Sequence, residues 1–327
     1  MTMCGADASD KVRRNRMETA SSRRGSEIDD SSIVVVGSCN LDVVSYVNSL
    51  PETGETVRAN HTVKYIGGKG VNQAVAAARS GAQVTMVGAV GSDEEADQVR
   101  STLTSSGVDI SGLRTCSQPT GTAYITVDAA GHNTIVYAPG ANAEITELTD
   151  DEGALVSAGS IVLLQLELPT EVAIAASAIA HESGAQVVLT PAPVTELPAS
   201  LLRNIDLLVP NAQEAYQLTG EVTPERSLSA LLELVPAVAI TLGASGSLYG
   251  DRRNGTIRVP TPTVDAIDTT GAGDTFVGSL SSALARGRLI SEALRWASAA
   301  AALSVRQMGG ANSIPTFTEI ANFAESA

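Results

Sequence analysis

From residue 33 onward the chain alternates short aliphatic, β-branched runs with longer alanine-rich stretches. "SIVVVGS" (32–38) is apolar through its centre, the pattern of a strand buried on both faces. "GGKGVNQAVAAARSGA" (67–82) predicts a helix opened by glycines and closed at Gly81, and "QVTMVGAVG" predicts the strand after it. "SDEEADQVRSTLTSSG" (92–107) predicts a helix whose first-turn acids complement the helix dipole. Further strands are expected at 161–166, 185–190, 206–210 and 237–243, with a helix over 170–184. Strand–helix alternation at this spacing implies βαβ units, hence an α/β fold with a central, mostly parallel sheet and helices on both faces.

Two stretches break that alternation. Residues 41–48 with 55–66, and residues 121–140, have a period of two and turn-like interruptions at "PETG" and "AAGHN". They predict hairpins that project from the main sheet. Such hairpins could form a small β-sheet lid over a site (about 41–66 and 121–140), extend the sheet edge, or make an oligomer contact. Residues 1–32 carry six basic and six acidic residues without apolar periodicity, so they are expected to be a disordered extension of a domain spanning 33–327.

Composition narrows the function. The chain has 327 residues, a formal net charge of −15 and only three lysines (Lys11, Lys64, Lys69), which argues against a nucleic-acid or anionic-membrane partner. No apolar run is long enough to span a membrane. Three widely spaced cysteines show neither zinc nor disulfide spacing, so a cytoplasmic setting is expected. The histidines, His61, His132 and His181, show no metal or triad spacing.

Four constellations could carry chemistry. Gly67, Gly68 and Gly70 would let a helix N-terminus approach a ligand, although such a turn is often only a tight connection. Asn40 and Asp42, past the first strand, could bind vicinal hydroxyls or simply cap a turn. In "DTTGAGD" the amides of Gly271, Ala272 and Gly273 suit charge on a transferring phosphoryl group, and Asp274 could accept a hydroxyl proton. The alternative is an acid that merely complements a helix dipole. Asn211 and Glu214, three apart, could hold a hydrated Mg²⁺ or form a capping box, and the residues alone favour the box.

Together these stretches resemble the ribokinase-like (pfkB) carbohydrate kinases. "GGKGVNQAVAAARSGA" and "DTTGAGDTFVG" match that family's two signatures, and "GSCNLD", "GANAEIT", "QLELP", "PNAQEA" and "ITLGASG" follow in order across residues 33–316. Within the family the pattern is most similar to the members that phosphorylate D-ribose at O5 with ATP. The resemblance implies that Asn40, Asp42, Gly68, Lys69, Gly70, Asn72 and Glu167 bind ribose. It implies Asp274 as general base and Gly271, Ala272 and Gly273 as the anion hole. Asn211 and Glu214 would lie by the nucleotide phosphates and Mg²⁺, with Thr241, Gly243, Gly246, Gly273 and Ser298 lining the nucleotide site. An activating K⁺ is implied beside the anion hole, with Asp268, Thr270, Ser304, Gln307, Gly309 and Ser313 as its candidate ligands. A homodimer through the lid is implied as well.

The chain departs from the family pattern at Ser298, where Asn or His often stands near adenine, at Thr190, which replaces an Asn, and at Asn312, which replaces a Pro. The alternatives are a sibling kinase for fructose, deoxyribose or adenosine, and a non-catalytic nucleotide- or ribose-binding regulator. A nicotinamide dehydrogenase is disfavoured because no G-x-G-x-x-G follows the first strand.

Overall fold

The computed structural model describes residues 32–253 and 255–326. The extension expected at the N-terminus lies, up to residue 31, outside the described residues. Strand β1 (Ser32–Val36) shows why the centre of the sheet is apolar in every position: Ile33 and Val35 join one core cluster, and Val34 and Val36 join the other. Successive strand side chains point to opposite faces, so a strand covered on both sides must be apolar throughout.

The remaining strands are β2 (Asn40–Tyr46), β3 (His61–Gly67), β4 (Gln83–Val90), β5 (Val108–Thr115), β6 (Gly121–Val127), β7 (Asn133–Ala138), β8 (Ile161–Leu164), β9 (Gln186–Leu189), β10 (Leu207–Leu208), β11 (Ala237–Thr241), β12 (Ser247–Asp251) and β13 (Gly255–Val259). Nine of the thirteen described strands form one sheet in the order β13-β12-β11-β10-β9-β8-β1-β4-β5. It is parallel from β5 through β11, and β12 and β13 add an antiparallel edge. The expected central strands are all present. Strands β5, β12 and β13 were not foreseen: β5 and β13 are half-exposed edge strands that lack the continuous apolar run of the centre, and β12, though buried between β11 and β13, is short and carries Ser247, Gly250 and Asp251.

The two period-two stretches form hairpins, β2 with β3 and β6 with β7, and β2 pairs in parallel with β6. The result is a separate four-stranded sheet, β3-β2-β6-β7, rather than an extension of the main one. Among the described residues no helix is long and apolar enough to cross a membrane.

The helix Lys69–Arg79 begins after Gly68, whose φ of 89° is open to glycine at little cost. A Cβ at Gly70 would lie 2.5 Å from the Gly37 carbonyl carbon, so only glycine lets this helix start against the end of β1. The helix Ala272–Ala285 packs along it, and a Cβ at Gly278 would lie 2.5 Å from the Gln73 carbonyl oxygen and 2.6 Å from Ala76 Cβ. These two helices carry the two signature sequences, and Gly278 sets how closely they approach. Gly278→Val should therefore destabilise the fold by about 1–3 kcal/mol through overpacking. Urea unfolding measures this, and an unchanged midpoint would show that the helices can separate at no cost.

Candidate active site

The candidate residues gather beyond the carboxyl ends of the parallel strands. Ser38 follows β1, Glu167 follows β8, Thr190 follows β9 and Asn211 follows β10, while Thr241 ends β11. This is where open α/β sheets bind ligands. Asn40 and Asp42 do not cap a strand-end turn; they open lid strand β2 and point to the same face of it. Both are buried.

Asn40 is held by Asn142, which the sequence patterns did not single out. Asn142 Nδ2 donates to Asn40 Oδ1 at 2.8 Å and to the Cys39 carbonyl at 3.1 Å, and its Oδ1 accepts from the Cys39 amide at 3.0 Å. Asn142 Nδ2 also approaches the Tyr137 hydroxyl of β7 at 3.2 Å, which ties the lid to this corner. Glu167 Oε2 accepts from Ser38 Oγ, from the Lys69 amide at 3.2 Å and from Asn40 Nδ2 at 3.5 Å. Gly67 is needed here too, because a Cβ would fall 2.2 Å from Asp42 Oδ2.

Asp274 sits in the first turn of its helix and is 8% exposed. Its Oδ2 accepts from Asn72 Nδ2 at 3.1 Å and its Oδ1 from Gln73 Nε2 at 3.0 Å. Asn72 Oδ1 is buried without a protein partner, which leaves an acceptor for a ligand. Ahead of Asp274, Gly271 adopts φ 73° and turns the chain into the helix. That turn directs the Ala272 amide onto the Thr269 carbonyl at 3.2 Å. Of the three amides expected at the lip, those of Gly271 and Gly273 are therefore the open donors. Nothing lies within 4 Å of where a Gly273 Cβ would stand, so this lip faces open space.

Charge in the cleft is unbalanced. Burial, with the Glu167 and Asp274 carboxylates nearby, pushes the Asp42 carboxyl up to about 7 against the pull of Lys69. Burial alone would lower the Lys69 ammonium, but Asp274, Glu167, Glu214 and Asp42 outweigh it and hold its pKa above the ordinary value. Glu214 is raised by burial, in opposition to the Asn211 amide and Lys69. Asn211 and Glu214 form the capping box that the spacing allowed: Asn211 Oδ1 accepts from the Glu214 amide at 2.8 Å, and Glu214 Oε2 accepts from the Asn211 amide at 2.8 Å. A capping role does not remove them from the cleft, since Glu214 is coupled to Lys69 and Asp274.

Beside the lip lies a cavity of about 290 Å³, lined by Thr241, Gly243, Gly246, Gly273 and Ser298. All five were expected at a nucleotide site. Ser298 Oγ is buried there with no protein partner. Gly246 holds φ 91°, and a Cβ on it would lie 1.9 Å from the Val259 carbonyl oxygen.

The cation candidates lie in two adjoining segments bridged by Asp268, whose Oδ1 accepts from the Thr270 amide and Oδ2 from the Gly309 amide, both at 2.9 Å. The Ser304 and Ser313 hydroxyls donate to the carbonyls of Ala301 at 2.9 Å and Gly310 at 3.0 Å. Gln307 is exposed. The donor set is carboxylate, carbonyl and hydroxyl oxygen, which suits a hard monovalent cation. Among the described residues no group of three or more His, Cys, Asp or Glu could hold a metal ion.

A buried acid beside open amides at a helix N-terminus, with a polar cleft on one side and a cavity on the other, is an arrangement suited to a kinase for a small alcohol. The model of the pfkB family carbohydrate kinases matches residues 30–317, and the chain belongs to that family. It is 39% identical to the ribokinase of Haemophilus influenzae over 90% of this chain and 99% of that one. It is 40% identical to the bifunctional ribokinase/ribose-5-phosphate isomerase A of Fructilactobacillus sanfranciscensis over 89% of this chain, and spans 55% of that relative's length. The structure of Arabidopsis thaliana ribokinase complexed with ribose and ATP superposes with a TM-score of 0.85 at 32% identity, covering 90% of this chain and 99% of that one.

The Asp42 shift has a consequence for stability. Its carboxyl is raised from 3.8 to about 7, so within that window the folded chain binds more protons than the unfolded one. Stability due to this group is therefore fully present below the unfolded value and falls as pH rises towards 7. Asp42→Asn removes the titration, so in urea unfolding the variant should gain on the parent between about pH 4 and about pH 7 and hold that difference above. A difference between the two that is flat with pH would contradict the burial of an ionisable Asp42.

Proposed function

We propose that the chain transfers the γ-phosphoryl group of ATP to O5 of D-ribose, giving ribose 5-phosphate and ADP. The observation that carries this reading is the meeting of Asp274 with the open Gly271 and Gly273 amides at one helix N-terminus. The carboxylates of Asp42 and Glu167, with Asn40, Asn72 and the Gly68–Gly70 turn, offer acceptors and donors for the sugar hydroxyls. Lys69 supplies the positive charge among them. Asp274 takes the proton from O5 as that oxygen attacks, and the Gly271 and Gly273 amides stabilise the charge spread over the phosphoryl oxygens. The site thus separates two tasks: the carboxylate faces the attacking hydroxyl, and the amides face the group being transferred.

The cavity beside Ser298 and Gly246 takes the nucleotide in this reading. Mg²⁺ near Asn211 and Glu214 would neutralise phosphate charge, and K⁺ by Asp268 and Thr270 would add positive potential behind the lip. Asp268 itself holds the Thr270 and Gly309 segments in register, so the cation loop and the lip are set by one side chain. A cytoplasmic setting is part of the same proposal. So is a homodimer through the lid, supported by exposed apolar side chains on the β6–β7 hairpin: Tyr124, Ile135 and Val136 are 54, 57 and 68% exposed.

An ATP-dependent phosphorylation screen over ribose, deoxyribose, fructose and adenosine tests the substrate. Ribose should exceed the others in kcat/KM by at least about tenfold, and the rate should fall when K⁺ is replaced by a bulky organic cation. Preference for another acceptor would overturn the sugar, and rates indifferent to the cation would remove K⁺. For the dimer, sedimentation should show that Val136→Lys shifts the parent dimer to monomer. A monomeric parent, or a dimeric variant, would contradict the lid contact.

A further inference from the structure

One buried side chain in the first signature remains without a task in the chemistry above. Gln73 is 0% exposed, lies on the helix that also carries Asn72, and spends its side chain on protein partners alone. Its Nε2 donates one hydrogen to Asp274 Oδ1 at 3.0 Å and the other to Thr190 Oγ1 at 3.1 Å. Its Oε1 accepts from Gln165 Nε2 at 2.8 Å. Both hydrogens and the carbonyl of this amide are therefore committed. Gln165 and Thr190, themselves buried, lie just beyond the carboxyl ends of neighbouring strands β8 and β9.

We propose that Gln73 is a positioning residue for the general base, a clamp that fixes the plane of the Asp274 carboxylate by tying it to the ends of β8 and β9. The inference rests on Asp274 being the base. A base must present one lone pair along the line of the attacking hydroxyl, and a carboxylate on a single helix turn can rotate about its side-chain torsions. Asn72 restrains one oxygen, but Asn72 lies on the ligand side and its Oδ1 is left for the substrate. Gln73 restrains the other oxygen from behind, through an amide that is itself anchored at two points. With all four groups buried, no water can replace a lost partner, so each bond in the relay carries orientation as well as energy.

The geometry also explains a residue choice in this chain. Thr190 brings one hydroxyl to the end of β9, and that oxygen accepts the Gln73 hydrogen not used by Asp274. A wider side chain is not needed there, and an apolar one would leave that hydrogen unpaired. The Gln73 carbonyl oxygen of the main chain is meanwhile in close contact with Gly278, so the backbone of Gln73 is fixed by helix packing while its side chain is fixed by the sheet.

The test is steady-state kinetics of Gln73→Leu, Thr190→Val, Asp274→Asn and the Gln73→Leu/Asp274→Asn double variant, with ribose and ATP. Gln73→Leu should lower kcat by about 10- to 100-fold, the scale of a misaligned reacting group, while KM for ribose stays within about twofold because no sugar contact is lost. In the Asp274→Asn background the same substitution should cost nothing further, since its effect runs through that carboxylate. Thr190→Val, which leaves Gln73 and Asp274 in place, should lower kcat by about 3- to 10-fold at constant KM and serves if Gln73→Leu fails to fold. Unchanged kcat in Thr190→Val and Gln73→Leu, parallel loss of ribose affinity and turnover, or an equal cost in the double variant would overturn the clamp. An active Asp274→Asn would instead overturn the base assignment, which keeps the two failures apart.

Discussion

One ammonium group, that of Lys69, faces four carboxylates, Asp42, Glu167, Glu214 and Asp274, in one cleft. Crowded acids repel one another more strongly in low dielectric than on a surface, and each costs free energy to bury ionised. The cleft holds this excess through directed hydrogen bonds and through the elevated pKa of Asp42. The excess has chemical value, because carboxylates are the natural acceptors for a sugar's hydroxyls. It also creates a difficulty, because a nucleotide phosphate must approach the same place.

The fold answers that difficulty by dividing the cleft. The acidic side chains come from β2, from the end of β8, and from the first turns of the Ala212–Thr219 and Ala272–Ala285 helices. On the far side, Gly243, Gly246 and Gly273 line the cavity with backbone alone. Small residues there keep the cavity open, and the helix N-terminus gives it positive potential without a cationic side chain. A chain with a net charge of −15 can in this way still accept a polyphosphate. Asp274 stands on the boundary, where an attacking oxygen and the phosphoryl group would meet.

Much of this was legible in the sequence. Runs such as "SIVVVGS" fixed the central strands, since burial on both faces leaves no room for polar residues. Glycine-rich turns located both signature helices, because only glycine allows the approach of Gly70 to Gly37 and of Gly278 to Gln73. Less legible were the half-exposed edge strands β5 and β13 and the short buried β12 between β11 and β13, whose patterns are set by tertiary context. Ser38, Asn142 and Gln73 were also missed. Each is an ordinary polar residue whose role depends on partners 129, 102 and 201 positions away, namely Glu167, Asn40 and Asp274. A polar side chain within an otherwise apolar helix, as with Gln73 in "GVNQAVAAA", was the one local signal available. The Ala272 amide shows the opposite limit, because motif spacing marked three donors where the turn at Gly271 leaves two.

The proposed phosphoryl transfer depends on the division of labour at the lip. Its most direct test is a single-turnover experiment with excess enzyme, saturating ribose and ATP, comparing the parent with Asp274→Ala by rapid quench, alongside calorimetric ribose binding. The expected result is a fall in phosphoryl transfer of at least about a thousandfold, on the scale of general-base loss, with ribose affinity retained within a few-fold. A variant that still transfers within about tenfold of the parent rate would contradict Asp274 as the group that receives the proton.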